Sequence, residues 1–200
     1  GSNFTVSHFN GKLTYGKRGS ALNDNENFYN HKEIFTPEVE EKIIEILSKS
    51  VYGRGAKLTY YGEIFGPGVQ KGVNYGVKSF RFFDILLSNM VGENWFDQDQ
   101  LQYWQIPDLL QMVPYLSFGK LEDLLEYNCE FDSKILNISN NPAEGIVLKP
   151  NKACFLEGSG DRIILKKKHP KFAEIAKEVK ESKEKTGLPD SVSVYITENR

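Results

Sequence analysis

Apolar and polar residues alternate through Phe4-Thr5-Val6-Ser7 and again through Lys12-Leu13-Thr14-Tyr15, with Asn10-Gly11 between the two runs. Alternation on either side of a tight-turn pair predicts a β-hairpin within residues 1–22. Residues 23–35 are polar and aromatic and read as loop. The period changes at Thr36-Pro37, a capping residue followed by proline at the first helical position. Val39, Ile43, Ile46 and Leu47 then recur at helical spacing, which predicts an amphipathic helix packed on a sheet. Residues 57–65 read as a strand stopped by Gly66-Pro67-Gly68, and residues 78–87 as another. The pattern is weakest over residues 88–143. Short helices are expected at residues 97–105 and 121–127, with Trp95, Phe96, Tyr103 and Trp104 as their packing surface. Two compact strands come next, at residues 144–150 and 163–168. Phe172, Ile175, Ala176 and Val179 carry a helical period into a charged stretch reaching Lys185. Gly187-Leu188-Pro189 ends it, and residues 191–197 read as a closing strand.

Composition narrows the class without naming a function. The chain has 200 residues, 40% hydrophobic and 26% charged, enough to bury a full core. A formal net charge of −2 puts any nucleic-acid role on local basic clusters, not on bulk charge. Two cysteines, Cys129 and Cys154, cannot form a disulfide framework or a zinc knuckle, and they imply a reduced, intracellular setting. No apolar run approaches the ~20 residues of a membrane span. His8, His31 and His169 are too scattered in sequence to argue a metal site.

The strand at 144–150 carries the first hint of chemistry. Ile146-Val147-Leu148 is flanked by Glu144-Gly145 and by Lys149-Pro150. Polar heads on a buried strand are costly without partners, so Glu144 and Lys149 are expected to face a cavity or each other. The plainer reading is a core strand with two rim charges. A second strand ending in Lys166-Lys167-Lys168 and a strand-turn at residues 61–68 favour the first reading. Together the three suggest the walls of one phosphate-handling cleft. Arg18, in Gly16-Lys17-Arg18-Gly19, could grip a phosphate or carboxylate bidentately, or be a solvated turn residue. A phenylalanine in Phe80-Arg81-Phe82-Phe83-Asp84 is ordinarily core, but one could stack on a base.

In this order the pieces resemble the nucleotidyltransferase domain of the RNA ligase 2 family, within the superfamily of ATP-dependent ligases and capping enzymes. Gly1-Ser2-Asn3-Phe4 resembles the tail of that family's first motif, Lys-x-His-Gly-(Ser/Thr)-Asn-(Phe/Tyr). The turn at Lys17-Arg18-Gly19, the stretches 61–70 and 80–85, the strand 144–150 and Leu165-Lys166-Lys167-Lys168 resemble the family's later motifs. The resemblance implies an α+β, ATP-grasp-like ligase fold, mostly antiparallel sheets flanking a nucleotide cleft with helices outside. It implies Arg18 on the phosphate side of the nucleotide, Glu63 by the ribose, Phe83 stacked on adenine, and Lys149 among the nucleotide contacts. Glu144 would assist metal-dependent steps, Lys166 and Lys168 would touch the AMP phosphate, and Asn3 with Glu144 would hold hydrated Mg²⁺.

The activity that this resemblance implies is that of an ATP-dependent RNA ligase joining a 3′-hydroxyl to a 5′-phosphate. Its partners would be ATP and RNA ends or a nicked RNA duplex. The family motif puts its nucleophilic lysine three residues ahead of Gly1 and a histidine immediately ahead. The expectation is therefore a single nucleotidyltransferase domain over residues 1–200, without the segment bearing the nucleophile and without a C-terminal RNA-engaging domain. The alternative is a non-catalytic module that binds nucleotide or RNA ends. A capping guanylyltransferase or DNA ligase fits the Gly-Ser-Asn-Phe sequence less well.

Overall fold

The computed structural model describes residues 1–136 and 138–172 and the backbone of 193–194. The chain divides into two units. Unit 1 comprises Gly1–Tyr115 with Asn151–Ala153; unit 2 comprises Leu116–Pro150 and the described residues from Cys154 onward.

Unit 1 opens with the expected hairpin, β1 (Ser2–Phe9) and β2 (Lys12–Lys17). Its turn residues Asn10 and Gly11 both have positive φ, 47° and 74°, the conformation that makes this dipeptide favourable there. A two-residue strand, β3 (Ser20–Ala21), pairs with the end of β2. Helix α1 (Pro37–Ser48) starts at the expected cap, the Thr36 hydroxyl accepting the Val39 N–H at 3.4 Å. Strands β4 (Lys57–Phe65), β5 (Ser79–Asn89), β6 (Gly92–Trp95) and β7 (Gln111–Met112) complete a seven-stranded sheet. Its order is β3-β2-β1-β4-β5-β6, with β7 also on β5. Every pairing is antiparallel except β5 with β7.

One face of this sheet is the core. Phe4, Val6, Leu58, Tyr60, Ile64, Phe80, Phe82 and Ile85 point into it and meet Ile43 and Leu47 of α1, all at 2% exposure or less. The Tyr15 hydroxyl donates to Glu40 at 2.6 Å and ties β2 to the helix. Ile46, expected on the buried face, is 46% exposed. The buried arc runs from Val39 through Ile43 and Leu47 toward Ile44, which packs on the core in its place.

Residues 97–105 do not form the expected helix. They contain one 3₁₀ turn, Leu101–Trp104, and Pro107 disfavours helical geometry at Ile106 just beyond it. Phe96 and Trp104 do pack on each other, with ring centroids 5.2 Å apart, while Tyr103 is 80% exposed.

Unit 2 is built on a small antiparallel sheet of β8 (Gly145–Leu148), β9 (Leu165–Lys168) and β10 (Ser193–Val194), in the order β10-β9-β8. Helix α2 (Leu121–Leu125) is a shortened form of the helix expected at 121–127. The expected helix beyond Phe172 and the closing strand apart from 193–194 lie outside the described residues. Both cysteines are free thiols. The architecture is α+β, mostly strand with few helices, in line with the sequence pattern. Among the described residues no helix is long and apolar enough to cross a membrane.

Candidate active site

The face of the unit 1 sheet opposite the core gathers the unit's sequence-nominated residues. Alternation along β1 sends Phe4 and Val6 into the core and Asn3 and Thr5 to the other side. Asn3 pairs with Glu63 of β4, and Glu63 pairs with Arg81 of β5. Arg81 in turn pairs with Gln111 of β7. Four polar side chains thus form one cross-strand row at the end of the sheet, with directly opposite neighbours about 5 Å apart at Cβ. Arg18 occupies the β2–β3 turn, exposed, just after Lys17, which pairs with Phe4. That turn is therefore at the Asn3 end of β1.

Phe83 is set apart from its neighbours by a register shift. Tyr61 pairs with Asp84 and Gly62 with Phe82, so Phe83 is the extra residue of a β-bulge. Bulges re-aim side chains and are over-represented beside functional sites. Core residues on β5 are Phe80 and Phe82 before the bulge and Ile85 and Leu87 after it. Phe83 is left half-buried and outside the core cluster, on the face that carries Glu63 and Arg81. Gly62 opposite the shift has no room for a side chain: a Cβ there would lie 2.2 Å from the Arg81 carbonyl oxygen and 2.6 Å from the Phe80 ring. Beyond the bulge the same face carries Tyr61 against Trp95, with ring centroids 5.0 Å apart. It also carries Asp84, which accepts from the Gln98 amide at 3.0 Å.

Arg81 shares this face, and the sequence motifs do not single it out. Its Nη1 donates to the Met112 carbonyl at 2.9 Å, and partial burial lowers its pKa from the usual guanidinium value. Alternation carries the signal, since an arginine flanked by two core phenylalanines on a strand must face the other way.

In unit 2 the same alternation sorts three consecutive lysines. Val147 pairs with Lys166 and Gly145 with Lys168, so both lysines share a face with Val147, which is 52% exposed. Lys167 points the other way, with buried Ile146 and Leu165. Its ammonium donates to the carbonyls of Leu125 at 2.8 Å and Tyr127 at 3.0 Å, satisfying acceptors left open at the end of α2.

Glu144 precedes β8 with its side chain exposed, and its carbonyl accepts the His169 N–H at 3.0 Å, extending the β8–β9 ladder. Lys149 comes just after β8, half-buried. Gly145 has φ of 145°, and a Cβ there would lie 2.2 Å from the Lys167 carbonyl, so only glycine lets β8 approach β9 this closely. Asn3 and Arg18 with Glu63 and Phe83 thus belong to unit 1, and Glu144, Lys149, Lys166 and Lys168 to unit 2. Among the described residues no three acidic, histidine or cysteine side chains cluster as a metal cage. Glu144 in unit 2 and Asn3 in unit 1 each present an exposed oxygen-bearing side chain, the ligand type that Mg²⁺ prefers.

A family model described as RNA ligase matches residues 1–168, a span that includes every residue named above as a candidate. The chain belongs to the RNA ligase family. The structure is also similar to that of an RNA ligase from Naegleria gruberi, a lysine-to-alanine variant solved with ATP and manganese. The TM-score is 0.53 at 19% sequence identity, over 76% of this chain and 44% of that one. The likeness therefore concerns the fold, and this RNA ligase family chain spans less than half the length of the Naegleria protein.

Proposed function

We propose that the chain is the nucleotidyltransferase domain of an ATP-dependent RNA ligase, which joins a 3′-hydroxyl to a 5′-phosphate through adenylated intermediates. The observation that carries this reading is the bulge at Phe83. It turns one aromatic ring of an otherwise core-facing strand onto the face that holds Asn3, Glu63 and Arg81.

ATP is consumed, so it is a substrate. The nucleophile is the lysine that the family motif puts three residues ahead of Gly1. Its amine attacks the α-phosphorus, a P–N bond forms, and the bond to pyrophosphate breaks. An oxygen of the RNA 5′-phosphate then attacks the same phosphorus. The P–N bond breaks and the electron pair returns to the lysine. Finally the 3′-hydroxyl loses its proton and attacks the 5′-phosphate, and AMP leaves. Each step is a phosphoryl-type transfer, in which catalysis comes mainly from positioning and charge neutralisation.

Phe83 fixes the adenine by stacking, and Glu63 accepts from a ribose hydroxyl. Lys166 and Lys168 hold phosphate oxygens, with Arg18 and Lys149 adding positive charge. Glu144 and Asn3 would hold Mg²⁺, which neutralises charge on phosphate oxygens when bound.

The reading is tested on β9. Lys166→Ala or Lys168→Ala removes a charge-assisted phosphate contact of about 1.5–3 kcal/mol. Each is expected to weaken AMP binding at least tenfold, by roughly that energy. Unchanged AMP affinity in both variants overturns the assignment of this face to phosphate.

A further inference from the structure

We propose that Arg81 reads the vicinal hydroxyls of the nucleotide's ribose together with Glu63, and so makes the site prefer ribonucleotides to 2′-deoxyribonucleotides. This deepens the proposed function and rests on the reading that this face of unit 1 receives the adenosine.

Three observations carry it. Arg81 and Glu63 are directly paired on adjacent strands and project to the same face. The Glu63 carboxylate is 44% exposed, and no ion pair joins it to Arg81. A guanidinium has five N–H donors and no acceptor. One nitrogen of Arg81 is anchored on the Met112 carbonyl at 2.9 Å, and its remaining donors have no protein partner among the described residues. The face therefore presents an acceptor that cannot donate beside an anchored donor that cannot accept.

A ligand that satisfies both must offer a donor and an acceptor to two side chains whose Cβ atoms lie one cross-strand spacing, about 5 Å, apart. Vicinal hydroxyls do this, since each oxygen can give its hydrogen to a carboxylate and receive one from a guanidinium. The anchor to Met112 limits the entropy lost when the fork engages. Removing the 2′-hydroxyl leaves one of the two protein groups without its partner, the situation in which a polar site discriminates most strongly. The plainer role is a clamp holding β7 to β5 through Met112. A clamp would affect stability and would affect all nucleotides alike.

The experiment measures affinity of the chain for AMP and for 2′-dAMP by calorimetry, with thermal midpoints recorded for each variant. The wild-type chain is expected to favour AMP at least about tenfold, the scale of one hydrogen bond to a charged group. Arg81→Met is expected to reduce that preference to less than about threefold by weakening AMP selectively. Arg81→Lys, which keeps the charge, is expected to lie between, and it carries the test if the Met variant does not fold.

A preference that survives in the variants, or equal loss for both nucleotides, overturns the inference. Phe83→Ala separates this outcome from failure of the parent reading. It should weaken both nucleotides equally, and no effect on either, or no AMP binding by the wild-type chain, overturns the adenosine site itself.

Discussion

Phe82 and Phe83 are adjacent on one strand, and the bulge assigns them opposite jobs. Phe82 is 0% exposed in the centre of the core, its ring 5.1 Å from that of Tyr60 in an edge-on contact. Truncating such a residue to alanine costs about 3–5 kcal/mol of stability through lost transfer energy and the cavity left behind. Phe83 is half-buried and outside the core cluster. Full burial of a phenylalanine contributes about 1.5–3 kcal/mol, so Phe83→Ala should cost about half of that. Its larger effect should be on ligand binding. Loss of base–aromatic stacking costs about 1–3 kcal/mol, or about 5- to 150-fold in affinity for AMP.

The assay is a pair of urea melts together with AMP titrations well below the midpoint, on Phe82→Ala and Phe83→Ala in parallel. The expected pattern is a crossed one. Phe82→Ala should lose the more stability and keep affinity in its folded fraction, and Phe83→Ala should lose less stability and most of its affinity. If Phe83→Ala melts as early as Phe82→Ala and binds AMP like the wild type, Phe83 is a core residue and the adenine assignment is wrong.

Lysine 167 and the buried histidines give two further expected outcomes. Lys167→Ala should leave AMP affinity within about twofold but destabilise unit 2, since it strips two carbonyls at the end of α2 of their donor at about 1 kcal/mol per hydrogen bond; an AMP defect matching that of Lys168→Ala would refute the alternation argument. His8 and His31 are at most 2% exposed, and burial lowers both their pKa values from 6.5. The unfolded chain therefore takes up protons at a higher pH than the folded one, so stability should be full well above pH 6.5 and fall as pH drops through that value. Urea melts across that window check it, and a slope that persists in the His8→Gln, His31→Gln double variant would contradict it.

Much of unit 1 is legible in the sequence because local signals agree with the tertiary outcome. Asn10-Gly11, Thr36-Pro37 and the run Lys57–Phe65 each have a local cause, in turn conformation, helix capping and alternation, and each appears where expected. Strands β3, β6 and β7 are not legible, because two to four residues carry no period and their pairing is decided by the strand beside them. In the candidate site, alternation alone separates Lys166 and Lys168 from Lys167, and it suffices to find Arg81. It cannot find Phe83. In Phe80-Arg81-Phe82-Phe83-Asp84 the side on which Phe83 falls depends on a register shift against Tyr61 and Gly62 of the neighbouring strand. Only the resemblance to a known motif singles out that ring.

Ligation through a lysyl adenylate is tested most directly by the intact mass of the native full-length protein after incubation with ATP and Mg²⁺, with any adduct mapped by peptide. A gain of one AMP is expected on the lysine three residues ahead of Gly1, discharged when RNA bearing a 5′-phosphate is added. Absence of an adduct, in protein that binds AMP at the face of Phe83 and Glu63, would contradict ligation and leave a nucleotide-binding module in its place.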